Sequence, residues 1–156
     1  MKRTMPSSPE LEFAFEAHVG VGPLVDLGQT PRGHRRIVPI IGGTFAGPGL
    51  KGRVLPGADS QILRGDGVLE VEARYTLETD DGALISVVNR GIRHASAEVI
   101  ARLDRGEHVG RDEMYFRTVP RFETAAAQYQ WLTHSVFIGV GERLPRKVII
   151  EFWKIL

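Results

Sequence analysis

The chain has 156 residues, 20 basic against 19 acidic for a net charge of +1, and no cysteine. That length buries roughly two thirds of the unfolded surface without covalent staples, and the missing thiols exclude a disulfide framework, a thiolate metal site and a cysteine nucleophile. The near balance of charge, with both signs spread along the chain, is unlike the one-signed basic face of a nucleic-acid module.

Residues 1–9, with two prolines and three hydroxyl residues, read as a disordered tail, and 10–156 as a single β-barrel domain. From Glu10 the alternation is clean: Leu11, Phe13, Phe15, Ala17 and Val19 share one face, which is the pattern of a half-buried strand. GVGPLVDLGQTPRGHR reads as a long connection, the kind that often carries function. A strand is expected from about Arg35 to Phe45, with Pro39 at an edge or bulge and Gly42–Gly43 allowing a bend or a close approach by another backbone or a ligand. GPG at 47–49 and LPG at 55–57 are turns. Strands follow at about 57–63, 68–79 and 83–90, joined by RGDG and TDDG, whose Asp-Gly pairs signal tight hairpins.

A helix is expected over 96–105, capped by Ser96, striped by Val99, Ile100 and Leu103, and stopped by Gly106. EMYFRTVPRF reads as a strand. TAAAQYQWL is a short helical patch with Thr124 as its cap, and strands at about 133–140 and 147–155 close the chain. The fold class that results is all-β: a small antiparallel barrel of about eight to ten strands with two short helices. No run approaches the ~18–20 apolar residues of a membrane span, and MKRTMPSSPE lacks the apolar stretch of a secretory signal. The cytoplasm is the expected compartment.

Three segments carry a resemblance. PIIGGTFAGPGLKGRVLPGADSQIL, GVLEVEARYTLETDDGALISVVNRG and YFRTVPRFETAAAQYQWL, in that order, resemble the family known as domain of unknown function 3237, or uncharacterised protein family 0311. The resemblance runs from about Glu12 to Ile155 and implies a lipocalin-like barrel without an assigned activity. One departure is Ser60, which stands where an aromatic is expected and suggests a wider or more polar pocket.

A barrel of this size can hold a ligand, so the polar residues in phase with one another are the candidates. Asp59 and Gln61 lie two apart, as do Glu72 with Arg74 and Tyr115 with Arg117. The opposite face of the strand at about 68–79, with Val71, Ala73, Tyr75 and Leu77, is the more apolar. Whether Glu72 and Arg74 face the lumen or solvent is therefore open. Asp59 is the expected general base, with Tyr115 and Arg117 holding an oxyanion. Gln61, Glu72, Arg74, Trp131 and His134 are the expected ligand contacts, Trp131 from a helix lidding one barrel end.

The histidines show no metal-ligand spacing and GGTFAGPG lacks the features of a phosphate loop, so neither a metal nor a cofactor is expected. Two functions fit. One is an acid–base enzyme (isomerase, cyclase or dehydratase) for a small carbonyl or aromatic metabolite; the other is a carrier of a small acidic or aromatic ligand. The closing strand KVIIEFWKIL is apolar on both faces, which predicts a homodimer unless the helix at 96–105 covers it.

Overall fold

The computed structural model describes residues 5–156. Of the tail expected at 1–9, residues 1–4 lie outside the described residues, and 5–9 are exposed and carry no regular structure. Ten strands follow: β1 (Leu11–Val21), β2 (Val25–Thr30), β3 (Gly33–Ala46), β4 (Lys51–Val54), β5 (Gly57–Leu63), β6 (Leu69–Thr79), β7 (Leu84–His94), β8 (Tyr115–Thr124), β9 (Phe137–Arg143) and β10 (Lys147–Ile155). One helix, α1 (Ala97–Asp104), and two 3-10 turns, Arg111–Glu113 and Ala127–Thr133, complete them.

Every pairing is antiparallel, and the order runs β1-β10-β9-β8-β7-β6, then through β4 and β5 to β3. β3 pairs back onto β1, so the sheet closes into an eight-stranded barrel. β4 and β5 share one position in it: β4 pairs the second half of β3 and β5 the first half. The closing seam depends on Gly43, at φ 143°, where a Cβ would stand 1.9 Å from the His18 carbonyl oxygen. Only glycine lets β1 and β3 approach there.

The long connection expected between the first two strands is instead a hairpin. β2 pairs β3, and the Asp26 carboxylate accepts from the Gly28 N–H at 2.8 Å and contacts His34 Nε2 at 2.6 Å. Gly28, at φ 84°, marks a bulge where the register shifts. That bulge breaks the alternation by which a strand is recognised. The helical patch is a 3-10 turn because Thr124 does not cap it: its hydroxyl donates to the Leu84 carbonyl and accepts from Ala126 N–H. Three residues per turn also eclipses positions i and i+3, which sends Tyr129 and Leu132 together into the barrel end.

The barrel is filled unevenly. Around Phe15 at its lower end, Phe152, Phe122 and Phe45 stand at ring-centre distances of 4.6, 5.7 and 5.8 Å. Leu77, Ile85, Phe137 and Leu132 complete this core. At the upper end a smaller cluster of Leu69, Val71, Val109, Met114 and Phe116 packs under Val99, Ile100 and Leu103 of α1. Ser96 caps that helix through its Oγ, which accepts from Val99 N–H at 3.2 Å. α1 thus lies on the upper rim and leaves Ile149, Trp153 and Ile155 of β10 half-buried on the outer surface.

Candidate functional site

Between the two apolar clusters the lumen walls turn polar. Alternation along β5 sends Asp59 and Gln61 inward, beside Val38 and Arg36 of β3. On β6 the inward set is Val71, Ala73 and Tyr75, and on β7 it includes Asn89 and Arg93. β8 contributes Phe116 and Thr118, and β9 contributes Arg143. Two inward positions of β9 are Gly139 and Gly141, whose Cβ atoms would meet Thr118 Oγ1 at 2.1 Å and the Phe116 ring at 2.7 Å. The glycines make room for the β8 side chains.

Strand register orders these groups by depth. Asp59 lies level with Ala73 and Asn89, and Gln61 lies one step nearer the rim, level with Val71 and Arg36. Tyr75 stands one step deeper than Asp59, and Arg93 stands at the rim opposite Phe116. The lumen is narrow here: the centre of a water molecule can reach only about 40 Å³ of it. Rimward the lumen opens into a recess where a water centre reaches about 300 Å³, walled by Arg36, Arg93 and Arg143 and by Leu103 and Asp104 of α1.

Asp59 is held from two sides. Its Oδ2 accepts from Gln61 Nε2 at 2.8 Å and its Oδ1 from the Glu72 backbone N–H at 3.1 Å. Gln61 is oriented in turn by Arg36, whose Nε donates to Gln61 Oε1 at 2.8 Å. Each carboxyl oxygen keeps a second lone pair for a proton or a ligand. Burial pushes the Asp59 pKa above the ordinary carboxylate value, against the opposing hydrogen bonds and the fields of Arg93 and Arg36. Burial, with the Arg36 and Arg143 charges, brings the Arg93 guanidinium down to about 10. Arg143 is lowered by burial and by Arg36. Burial also raises the Tyr75 hydroxyl, and Asp59 adds to that.

Among the described residues, four polar atoms of the cavity wall are buried without a hydrogen-bond partner: Tyr75 Oη, Asn89 Oδ1, Arg93 Nε and Thr118 Oγ1. Leaving such a group unpaired costs about 1–3 kcal/mol. Folded proteins rarely concentrate these costs outside a functional site. Among the described residues, no group of three or more His, Asp or Glu side chains comes together as a metal site would require.

The structure divides the residues named from sequence. Asp59 and Gln61 stand on the lumen wall. Tyr115 and Arg117 do not: β8 buries Phe116, Thr118, Val119's neighbour Pro120 and Phe122 and exposes the alternate positions. Tyr115 is 46% exposed, with the Arg117 guanidinium 5.5 Å from its ring centre. Glu72 and Arg74 also face outward, where Glu72 Oε1 accepts from Arg74 and from Arg90 at 3.1 and 2.7 Å. Trp131 packs at the plugged lower end against Phe137, at 6.2 Å between ring centres. His134 is exposed and ends the 3-10 turn rather than lying in a strand. Ser60 faces outward too and accepts from Arg35 at 3.0 Å, so the departure there leaves the lumen unchanged.

Tyr75, Asn89, Arg93, Thr118, Arg143 and Arg36 are the lumen groups that the sequence reading missed. The signal for three of them was phase: Asn89 and Arg93 continue the series Ile85, Val87, and Thr118 lies between Phe116 and Phe122.

A closed antiparallel barrel with a polar cavity below one open rim is thus the class of protein that the fold and site define. The chain belongs to the family described as protein of unknown function DUF3237, whose sequence profile matches residues 9–155. It is 42% identical over 153 residues to a UPF0311 protein of Rhodopseudomonas palustris, covering 97% of this chain and 100% of that protein. The crystal structure of that relative superposes with a TM-score of 0.91 over the same shares. A β-barrel-like protein of Acinetobacter baumannii is 40% identical, with a TM-score of 0.84 over 99% of this chain and 100% of that one. A hydroalkoxylation enzyme of Penicillium herquei is 27% identical over 150 residues, or 96% of this chain and 86% of that enzyme.

Proposed function

We propose that this protein is an enzyme that moves protons on a small organic substrate held in the barrel, with Asp59 as the proton-transferring group. The observation that carries this reading is the Asp59 carboxyl, clamped by Gln61 and the Glu72 N–H in a lumen whose other polar atoms lack partners. A carboxyl whose pKa is raised by burial is suited to giving a proton as well as taking one.

The Penicillium relative supports the same chemistry. Adding an O–H bond across a C=C bond requires a proton at carbon and releases one from oxygen. Asp59 can donate the first as the C–O bond forms, and its carboxylate can then accept the second, so the protein ends as it began. Isomerisation or dehydration needs the same two transfers.

The test uses molecules carrying a hydroxyl and an alkene together, beginning with 2-allylphenol, incubated in D₂O and followed by NMR for a cyclised, singly deuterated product. Asp59→Asn keeps the side chain's shape but cannot shuttle the proton, and is expected to lower turnover by about 10²–10⁴-fold. Turnover equal to wild type would remove Asp59 from the chemistry, and binding with no turnover of any such compound would favour a carrier.

The dimer expected from β10 also stands as a proposal. Its support is the half-buried outer face of Ile149, Trp153 and Ile155, together with β2, which among the described residues pairs only with β3 and leaves its other edge open beside Val25 and Leu27, 51% and 52% exposed.

A further inference from the structure

We propose that the substrate is an organic anion with a second oxygen function at its far end, its acidic group seated between Arg93, Arg143 and Arg36 at the rim and its second oxygen among Tyr75, Asn89 and Thr118 below. The inference rests on the lumen being the ligand site, as the proposed function has it, and adds the chemical class of the ligand.

Charge carries the first half. Three guanidinium groups converge on the recess above the lumen, and among the described residues no carboxylate forms an ion pair with any of them. Arg36 donates to Gln61, Arg143 to the carbonyls of Leu144 and Lys147, and Arg93 Nε to nothing in the protein. The acids nearest them are Asp59, inside, Asp104, on α1 at the rim, and Asp26, opposite Arg36 on β2 and already engaged by His34 and the Gly28 N–H. Three positive charges against three acids, of which burial favours Asp59 in its neutral form, leave the rim positive. Seven arginines elsewhere, Arg53, Arg64, Arg74, Arg90, Arg102, Arg105 and Arg111, each meet a carboxylate, whereas Arg35 donates to Ser60 and Arg117 to a backbone carbonyl; the recess is set apart by three guanidinium groups that share it without an acid partner. An anion at the rim relieves the repulsion and supplies the acceptors that guanidinium groups bind most strongly.

Depth carries the second half. The hydroxyls of Tyr75 and Thr118 and the amide oxygen of Asn89 are buried, with residue exposures of 5%, 3% and 1%, and are without protein partners. They lie below the rim on β6, β8 and β7. Asn89 and Arg93 are four residues apart on β7, a span of about 13 Å along the strand. A water centre reaches about 300 Å³ in the rim recess and about 40 Å³ in the lumen below it, so the acidic end of such a ligand has the wider space and its oxygen-bearing end the narrower. Asp59 stands level with Asn89, so it faces the middle of such a molecule or its oxygen-bearing end, never the acidic group alone.

The experiment compares two near-isosteric probes, anionic 4-hydroxybenzoate and neutral 4-hydroxybenzamide, by calorimetry on the full chain and on Arg93→Met. That variant keeps an aliphatic side chain and removes the charge. The benzoate is expected to bind and the benzamide to bind at least about tenfold more weakly, with Arg93→Met losing about tenfold or more in benzoate affinity only. In the wild-type protein, NMR of the arginine Nε–H groups follows the same titration, with the Arg93 and Arg143 signals expected to move. Equal affinity for the two probes, no binding of either up to millimolar concentration, or unmoved arginine signals would overturn the proposal. Asp59→Asn is expected to keep benzoate affinity. Loss of turnover with retained binding there, or the reverse, separates the fate of this assignment from that of the acid–base reading.

Discussion

Asp59 links the residue scale to a measurable pH profile. Burial raises its pKa above the ordinary carboxylate value, so the protonated form persists to higher pH than in a free side chain. Where proton donation limits the rate, activity is expected to fall as pH rises through that raised pKa. The limb is expected to vanish in Asp59→Asn. A bound anion adds a like charge and moves the limb further upward. Tyr75 gives a complementary expectation: its hydroxyl is buried without a partner, so Tyr75→Phe removes a cost rather than a bond. Its unfolding free energy from urea titration is expected to equal or exceed that of wild type, by up to about 1 kcal/mol, while 4-hydroxybenzoate binds less tightly. A clear loss of stability would mean that the hydroxyl has a partner.

These residues also show how far the sequence could be read. Asp59 and Gln61 were legible because β5 is short, bounded by glycine and leucine, and has only two polar side chains in phase. Tyr115 and Arg117 were placed on the wrong face because a phenol and a guanidinium attract a catalytic reading more than Thr118 does. The large apolar residues Phe116 and Phe122 set the phase of β8, and those two rings point inward. Arg143 and Arg36 had no such signal, since each lies near the end of a strand where exposure on both faces is common and only the closed barrel brings them together.

Among the elements, the β1–β3 seam is the most exacting. Period-two patterning predicts which face of a strand is buried but not which strand pairs with which, and β3 divides its hydrogen bonds among β1, β2, β4 and β5. The Gly42–Gly43 pair was read as a bend or a close approach by another backbone or a ligand; the structure shows a backbone approach, that of β1 at Gly43. Gly43→Ala combines an unfavourable φ with a Cβ 1.9 Å from a backbone oxygen, and neither strand can yield without breaking the barrel. A destabilisation of more than about 3 kcal/mol is expected by chemical denaturation, with Gly28→Ala on the outlying hairpin much milder because nothing lies within 4 Å of its Cβ. Equal effects at the two positions would show that the seam opens at little cost.

For the whole molecule, closure by β1 and β3 settled a fold class that alternation and glycine turns had already indicated. What alternation could not supply was the hairpin of β2, hidden by its bulge, or the 3-10 geometry of residues 127–133. No helix among the described residues is long and apolar enough to cross a membrane. Light scattering at micromolar concentration is expected to give twice the 17.3 kDa chain mass. A mass near one chain would assign the outer face of β10 and the β2 edge to solvent.

The aromatic plug around Phe15 has a consequence for how such a chain changes over time. Because the rings that hold the barrel shut occupy one end and the unpartnered polar groups lie nearer the rim, the two tasks fall mostly on different side chains, with Tyr75 as a link between them. Substitutions near the rim can alter what is held while the plug keeps the chain folded, and several of the rim groups, being mutually repulsive or unpaired, cost stability to keep. A lineage built on this plan can therefore exchange one chemistry for another in small steps, each tolerated by a lower half that does not register the change.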